Sequence, residues 1–327
     1  MALKKILVTG GAGFIGSNIA EGLLKNENVA QVVVMDNMST GFEENIQSFL
    51  AQRNFSFIKA DITDFQSCLD ACDGIDAVCH QAALGSVPRS IHTPAITHQV
   101  NVDGFFNMLE ASRQKGIKRF VYASSSSVYG DAVYSPKQED KLGSPLSPYA
   151  VTKIANEWYA NVFYRTYGME VIGLRYFNVF GPKQDPNGEY AAVIPLFFKA
   201  ALHNQSPTIN GDGSITRDFT YIDDVVDMNI NALFTNHQNA FGKAYNVAQG
   251  NTTTLNEIWQ AIKEITNCKA EAIHGPERPG DILQSLADIT RAKALLDYHP
   301  KIDVPGGLQK SLEWYQSMGN ESINRNQ

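Results

Sequence analysis

Residues 4–16 read KKILVTGGAGFIG, and the fold turns on how this stretch is understood. A short β-branched apolar run enters a cluster of glycines, Gly10, Gly11, Gly13 and Gly16, and leaves it through the amphipathic pattern FIGSNIAEGLLKN. The spacing fits GxGxxG counted from Gly11 and GxxGxxG counted from Gly10. Strand, glycine turn and helix in that order let backbone amides at a helix N-terminus approach a pyrophosphate closely, which a side chain would prevent. A glycine turn after a strand also occurs for packing alone, so the context has to decide. The next apolar run, QVVVMD, ends in Asp36, about 20 residues past Gly16, where a carboxylate can accept bonds from a ribose diol. Asp36 would repel a 2′-phosphate and Asn37 beside it brings no cation, so NAD is expected rather than NADP.

Working outward, KILVTG, QVVVMD, FSFIKAD, DAVCHQAA, RFVYASS and EVIGLRYF are short strand-like runs separated by longer helical patterns. Such alternation predicts an α/β protein with a doubly wound parallel (Rossmann) sheet covered on both faces. Beyond residue 176 the regularity gives way to Pro- and Gly-containing loops such as GPKQDPNGEYAAVIP and INGDGSITRDFTYIDD. We therefore expect a nucleotide-binding domain over residues 1–176, with a segment returning to it near 215–250. A smaller, interleaved C-terminal substrate lobe takes up most of 177–327.

The 327 residues, 43% hydrophobic and 19% charged, carry a net charge of −7 without a block of like charges, which disfavours nucleic-acid and anionic-membrane partners. No stretch has the length to span a bilayer and the N-terminus lacks a signal-peptide pattern. Cys68, Cys72, Cys79 and Cys268 form no CxxC pair, and buried small hydrophobes are the expected reading over zinc ligands. These features predict a soluble, cytoplasmic protein in a reducing compartment. Asp61 follows the third strand, placed equally well to meet an adenine or to cap the helix TDFQSCLDA. His80 opens HQAA with no partner at metal spacing and reads as structural.

Residues 145–168, PLSPYAVTKIANEWYANVFYRTYG, predict a helix with Ser147 as N-cap, Pro148 in its first turn and Gly168 as its stop. Tyr149 and Lys153, four apart, share one face. A phenol titrates near 10, roughly three units too high for a neutral-pH base, an unfavourable term of about 4 kcal/mol. A nearby ammonium and a positive nicotinamide ring would both lower it. YxxxK alone means little, since the spacing recurs on many helices, but it gains weight after a dinucleotide fingerprint. The serine run in ASSSSVYG, residues 123–130, has the composition of a linker, yet it follows RFVYA and so falls at the carboxyl end of the fifth strand, where doubly wound sheets bind ligands.

GGAGFIG, Asp36, the serine run and YxxxK together resemble the extended short-chain dehydrogenase/reductase family of nucleotide-sugar enzymes, over nearly the whole chain. The resemblance implies Tyr149 as acid/base, Lys153 as the group that lowers its pKa and holds the cofactor ribose, and Ser125 as hydroxyl partner. It implies NAD held by Gly10, Gly13, Phe14, Ile15, Gly16, Asp36, Asn37, Asp61, Ile62, Gln81, Ala82, Ala83, Tyr149, Lys153 and Tyr176, and no metal. A UDP-sugar would meet Gly85, Ser86, Ser125, Ser126, Ser127, Tyr149, Asn178, Gln184, Ala192, Val193, Arg217, Arg278, Asp281 and Ser285, with Arg217 and Arg278 on phosphate oxygens. Related 4,6-dehydratases carry Asp-Glu, and decarboxylases a Glu, just before V-Y-G; Ser126-Ser127 stand there instead, which leaves oxidation and re-reduction, the work of a 4-epimerase. ALGSVPRSI, LRYFNVFGPKQDPNGEYAAVIPLF, INGDGSITRDFTYIDD and ERPGDILQSLADIT resemble the branch that accepts N-acetylhexosamines. Ser285 matches a position where a tyrosine would exclude the N-acetyl group, although an ordinary surface serine is the alternative for it. The expectation is interconversion of UDP-N-acetylglucosamine and UDP-N-acetylgalactosamine, with UDP-glucose also accepted. The alternatives are a UDP-glucuronate 4-epimerase, against which Asn178 stands where a threonine is usual, or a nucleotide-sugar 4-ketoreductase. The resemblance also implies a homodimer formed through helices over 101–115 and 148–167, although the apolar positions there are equally suited to the chain's own core.

Overall fold

A computed structural model describes residues 4–276 and 284–324. The opening stretch is β1 (Lys4–Thr9) and α1 (Phe14–Leu24), followed by β2 (Val29–Asp36), β3 (Phe55–Lys59), α2 (Phe65–Ala71) and β4 (Ala77–His80). Short helices α3 (Val87–His92) and α4 (Pro94–His98) lead into α5 (Gly104–Gln114), β5 (Arg119–Ser125), α6 (Pro148–Tyr167) and β6 (Glu170–Tyr176). The second half contributes β7 (Val179–Phe180), α7 (Val193–Leu202), β8 (Thr208–Asn210), β9 (Thr216–Arg217), β10 (Thr220–Tyr221), α8 (Ile222–Phe234) and β11 (Lys243–Val247). It ends with β12 (Thr253–Thr254), α9 (Leu255–Thr266), β13 (Ile273–Gly275), β14 (Gln284–Ser285), α10 (Thr290–Leu296) and α11 (Val304–Asn324).

Seven parallel strands form the main sheet in the order β11-β6-β5-β4-β1-β2-β3. Because side chains alternate along a strand, both faces of these apolar runs must be covered. Ile6, Val8, Val32, Val34 and Val121 pack on one face beneath α1 and α8, with Ile19, Leu23, Val225 and Met228 among their neighbours. Leu7, Val33, Met35, Phe120 and Tyr122 pack on the other beneath α2, α5 and α6, against Cys68, Phe105, Met108 and Phe163. Each such fully buried aliphatic side chain stabilises the fold by about 1.5–3 kcal/mol.

The strand order reverses between β1 and β4, so the loops at their carboxyl ends part and leave a crevice there. Small sheets from the second half stand beside that crevice: β7 with β10, β8 with β13, and β9 between β12 and β14. The chain returns to the main sheet through α8, which packs on α1, and β11, which pairs with β6 from Lys243↔Ile172 to Val247↔Tyr176. The core under α1 and α8 runs on without a break into the later helices, where Phe197 meets Trp259 edge-on and Phe198 stacks on Tyr315.

Candidate active site

The turn from β1 into α1 closes tightly. Gly10 adopts φ +68°, in the left-handed region, and a Cβ there would lie 2.6 Å from the Ala82 backbone nitrogen. A Cβ on Gly16 would lie 2.1 Å from the Gly10 carbonyl oxygen. The glycines thus permit β1, β4 and α1 to converge, and the N-cap of α1, Gly13, supplies no side chain to its first amides, which are left for a ligand. A groove runs from there along the carboxyl edge of the sheet. Gly10, Gly13, Phe14, Ile15 and Gly16 line one end with Asp36 and Asn37; Ile62, Gln81, Ala82 and Ala83 line its middle; Tyr149, Lys153 and Tyr176 line the other end.

Asp36 is buried at the end of β2, and its carboxylate accepts from the Ala12 amide at 3.0 Å and the Met38 amide at 2.8 Å. Each oxygen retains a lone pair toward the groove for a ribose hydroxyl. Ser39 and Thr40 complete this end of the groove, and among the described lining residues no cation stands beside Asp36, so the site suits a 2′-hydroxyl and not a 2′-phosphate. Asp61 does not line the groove and does not cap α2: that cap is Asp64, which accepts from the amides of Gln66 and Ser67. Asp61 instead accepts from the Asn37 amide group at 2.8 Å and from Thr63, bracing Asn37 from behind. His80 is buried between Phe105 and Phe120 and hydrogen-bonded to Thr9 at 2.9 Å; burial, with the Lys153 charge adding to it, drives its pKa down to about 3, so it is a neutral member of the core.

α6 starts where its sequence dictates. The Ser147 hydroxyl accepts from the Ala150 amide at 3.1 Å, Pro148 occupies the first turn, and Gly168 follows as a left-handed C-cap. Tyr149 and Lys153 lie one turn apart on the side facing β5. The Lys153 ammonium, nearly inaccessible to water, donates to the Ala123 carbonyl at 3.0 Å and sits 5.8 Å from the Tyr149 ring centre. Burial lowers the lysine to about 8, against the opposing pull of the Glu157 carboxylate. Burial likewise pushes the Tyr149 phenol above its ordinary value, while a hydrogen bond with Ser125 pulls it back. Ser125 is the last residue of β5, and its oxygen also accepts from the Ser127 amide at 3.1 Å. Proton transfer at an oxygen held between Tyr149 and Ser125 is the chemistry this triangle permits.

A second cavity of about 1070 Å³ opens from the Tyr149 end of the groove. Ser125, Ser126, Ser127, Gly85, Gln184 and Ser285 line it, and it meets a third cavity where Asn178 and Arg217 border both. Ser127 Oγ and Gln184 Oε1 are buried without a hydrogen-bond partner, and both residues border the space a sugar would fill. Asn178 holds a left-handed φ of +34° and donates to the Asp218 carbonyl at 2.9 Å, strain of the kind that clusters at ligand sites. Ser285 stands beside Arg217 through the β14–β9 pairing, its carbonyl accepting from the Asp218 amide at 2.8 Å. It is a wall residue, not an outlying surface serine. Val193 lines the third cavity, but Ala192 lines none of the three and serves as N-cap of α7. Ser86 also lies off the cavity walls, where its hydroxyl caps α3 by accepting from the Arg89 amide at 3.2 Å. Arg278 and Asp281 lie outside the described residues.

Sequence reasoning passed over several neighbours. Ser124 borders both groove and second cavity, and Tyr129 and His92 also line the latter. Glu157 and Arg175, which underlie the site, were signalled only by the fact that Glu157 falls one further turn along the Tyr149–Lys153 face.

A profile of the NAD dependent epimerase/dehydratase family matches residues 6–248. The UDP-glucose 4-epimerase of Mycolicibacterium smegmatis is 37% identical over 96% of this chain and 99% of its own length. Among solved structures, UDP-N-acetylglucosamine 4-epimerase from Methanobrevibacter ruminantium, in complex with UDP-N-acetylmuramic acid, superposes with a TM-score of 0.91 at 37% identity, covering 97% of this chain and 100% of that one. UDP-glucuronic acid 4-epimerase from Bacillus cereus, with UDP-glucuronic acid and NAD, gives 0.88 at 34% identity, covering 96% and 99%.

Proposed function

Because the chain belongs to the NAD dependent epimerase/dehydratase family, we propose that it is a UDP-sugar 4-epimerase whose preferred pair is UDP-N-acetylglucosamine and UDP-N-acetylgalactosamine. The observation that carries the reaction type is the cavity wall beside Tyr149: Ser125, Ser126 and Ser127 supply hydroxyls and no carboxylic acid, so nothing there protonates a leaving hydroxyl or assists loss of a carboxylate. Support for the sugar comes from Ser285, whose small side chain leaves room on the wall for an acetamido group. Asn178 at the mouth is the residue that disfavours the glucuronate reading.

In this reading Tyr149, as phenolate, accepts the proton of the sugar 4-hydroxyl and later returns it to the same oxygen, once the 4-keto sugar has turned to present the other face of its C4. Ser125 holds the same oxygen by a hydrogen bond. Lys153, charged, stabilises the phenolate, and Asp36 holds the adenosine ribose. NAD, the cofactor, supplies a hydride acceptor and donor at the sugar C4, so no net oxidation results. Arg217, bordering both substrate cavities, is suited to pyrophosphate oxygens.

We also read the outer face of α5 and α6 as the seat of a second copy. Phe106, Val151, Trp158, Tyr159, Val162 and Tyr167 are exposed there, with Trp158 70% accessible. None of the described helices is long and apolar enough to cross a membrane.

Purified protein incubated with UDP-N-acetylglucosamine, without added nicotinamide cofactor, should form UDP-N-acetylgalactosamine, separable by anion-exchange chromatography. UDP-glucose and UDP-glucuronate run in parallel identify the sugar. Turnover of UDP-glucuronate alone would overturn the substrate assignment, and a stoichiometric demand for NAD(P)H would overturn the epimerase.

A further inference from the structure

Three successive residues of β5 are each faced by successive turns of α6. Tyr149 meets Ser125 on the cavity wall, the Lys153 ammonium donates to the Ala123 carbonyl, and the Glu157 carboxylate accepts from the Ser124 hydroxyl at 2.5 Å. The first two contacts belong to the proton-transfer site. The third has no part in that chemistry, yet it is the most strongly anchored of the three. Glu157 also takes two bonds from the Arg175 guanidinium of β6, at 2.9 and 2.7 Å, with side chains only 12% and 4% accessible. Arg175 in turn donates to the Tyr129 hydroxyl and the Glu139 carbonyl, both at 3.0 Å, and Tyr129 lines the substrate cavity.

We infer that Glu157 is a positioning residue for proton transfer: it clamps α6 to the carboxyl end of β5, so fixing Tyr149 against Ser125, and its carboxylate keeps the Lys153 ammonium charged. The inference rests on Tyr149 and Lys153 being the working pair. Two physical arguments carry it. A helix tied to a strand at two points, by Lys153 and by Glu157, resists rotation about its axis, whereas loss of the Glu157 tie frees the turn bearing Lys153 to shift, and reaction rates fall steeply with such misplacement. The charges facing Lys153 leave Glu157 as its source of negative potential among the described residues. Tyr149 shares its helix, His80 on β4 is neutral and cannot help, Tyr122 on β5 and Tyr176 on β6 are buried neutral phenols, and Arg175 on β6 is a cation. Removing the carboxylate would leave two buried cations, Lys153 and Arg175, without their anion, and both effects favour neutral lysine.

The test uses the intact enzyme. Lysine labelled with carbon-13 reports the titration of Lys153, its resonance assigned by its loss in Lys153→Met. Glu157→Gln should lower the Lys153 midpoint by about one unit and shift the alkaline limb of kcat with it, while KM for the UDP-sugar changes by less than about twofold. Glu157→Asp should restore the midpoint in large part. Since the glutamine variant strands Arg175 and so can fail to fold, the pair is also replaced together, Glu157→Met with Arg175→Met, an exchange that buried ion pairs often tolerate. The double variant should fold and show a smaller lowering of the midpoint, because the Arg175 charge is removed along with the carboxylate. An unmoved Lys153 midpoint in a folded variant, or a fall in kcat without any shift of its pH dependence, would overturn the inference. The titration reads Glu157 independently of whether any UDP-sugar is turned over, so a failed substrate assignment is seen separately.

Discussion

Tyr149 and Lys153, proposed as the proton-transfer pair, show why such a pair cannot be judged from its residue types alone. Placed in this fold, the phenol is driven above its ordinary value by burial and the ammonium below its own, to about 8, which is the reverse of what a general base at neutral pH requires. Charge supplied from outside the pair, by Glu157 and by a positively charged nicotinamide, has to compensate. Tyr149→Phe should reduce turnover by roughly a thousandfold while leaving NAD bound, measured as cofactor released on denaturation; full activity would remove Tyr149 from the mechanism. In the proposed mechanism the protonated lysine is the working form, so kcat/KM should fall as pH rises through about 8, and a profile flat to pH 10 would contradict its role. Ser285→Tyr should cut kcat/KM for the N-acetylated sugar by at least about tenfold and that for UDP-glucose much less. Equal losses on both would show that Ser285 does not face the 2-substituent.

Among the elements, the β1–α1 turn and α6 do most to build the site. The turn depends on Gly10, which combines a positive φ with close approach to the Ala82 backbone, two residues past the end of β4. Gly10→Ala has no rotamer that escapes this contact. It should cost about 2 kcal/mol or more in urea unfolding and lose most of the bound NAD, whereas unchanged stability would mean the turn is looser than the structure indicates. α6 was readable because its signals are local: Ser147 and Pro148 at one end, Gly168 at the other, and YxxxK on the inner face. The capping of α2 was harder, because two aspartates precede it. Asp64 takes the amides and Asp61 is drawn away by Asn37, a contact 24 residues distant that no local pattern records.

At the scale of the molecule, two stretches remote in sequence close the substrate cavity over the sheet. Asp218, fully buried, ties them together by accepting from the amides of Gln249, Gly250 and Ala287, and so holds the Ser285 wall to the loop after β11. The outer face of α5 and α6 bears on assembly. If a second copy covers it, Trp158→Glu should convert a dimer into a monomer in sedimentation velocity; a wild-type protein that sediments as a monomer would dismiss the reading.

By itself the sequence determined the doubly wound sheet, the dinucleotide groove and the Tyr149–Lys153 face. Each is written in short-range signals: apolar runs of strand length, glycines at fixed spacing, helix caps and an i, i+4 pair, all governed by contacts within about one turn or one strand–turn–helix unit. Tertiary structure alone decided that Asp61 braces Asn37 and that Ser285 stands on a wall beside Arg217. It alone brought Glu157 and Arg175 together beneath Ser124. The contacts of Asp61, Ser285 and Glu157 depend on which side chain reaches a donor first, and that competition is settled by packing between segments some 18 to 68 residues apart, where sequence spacing carries no information about distance.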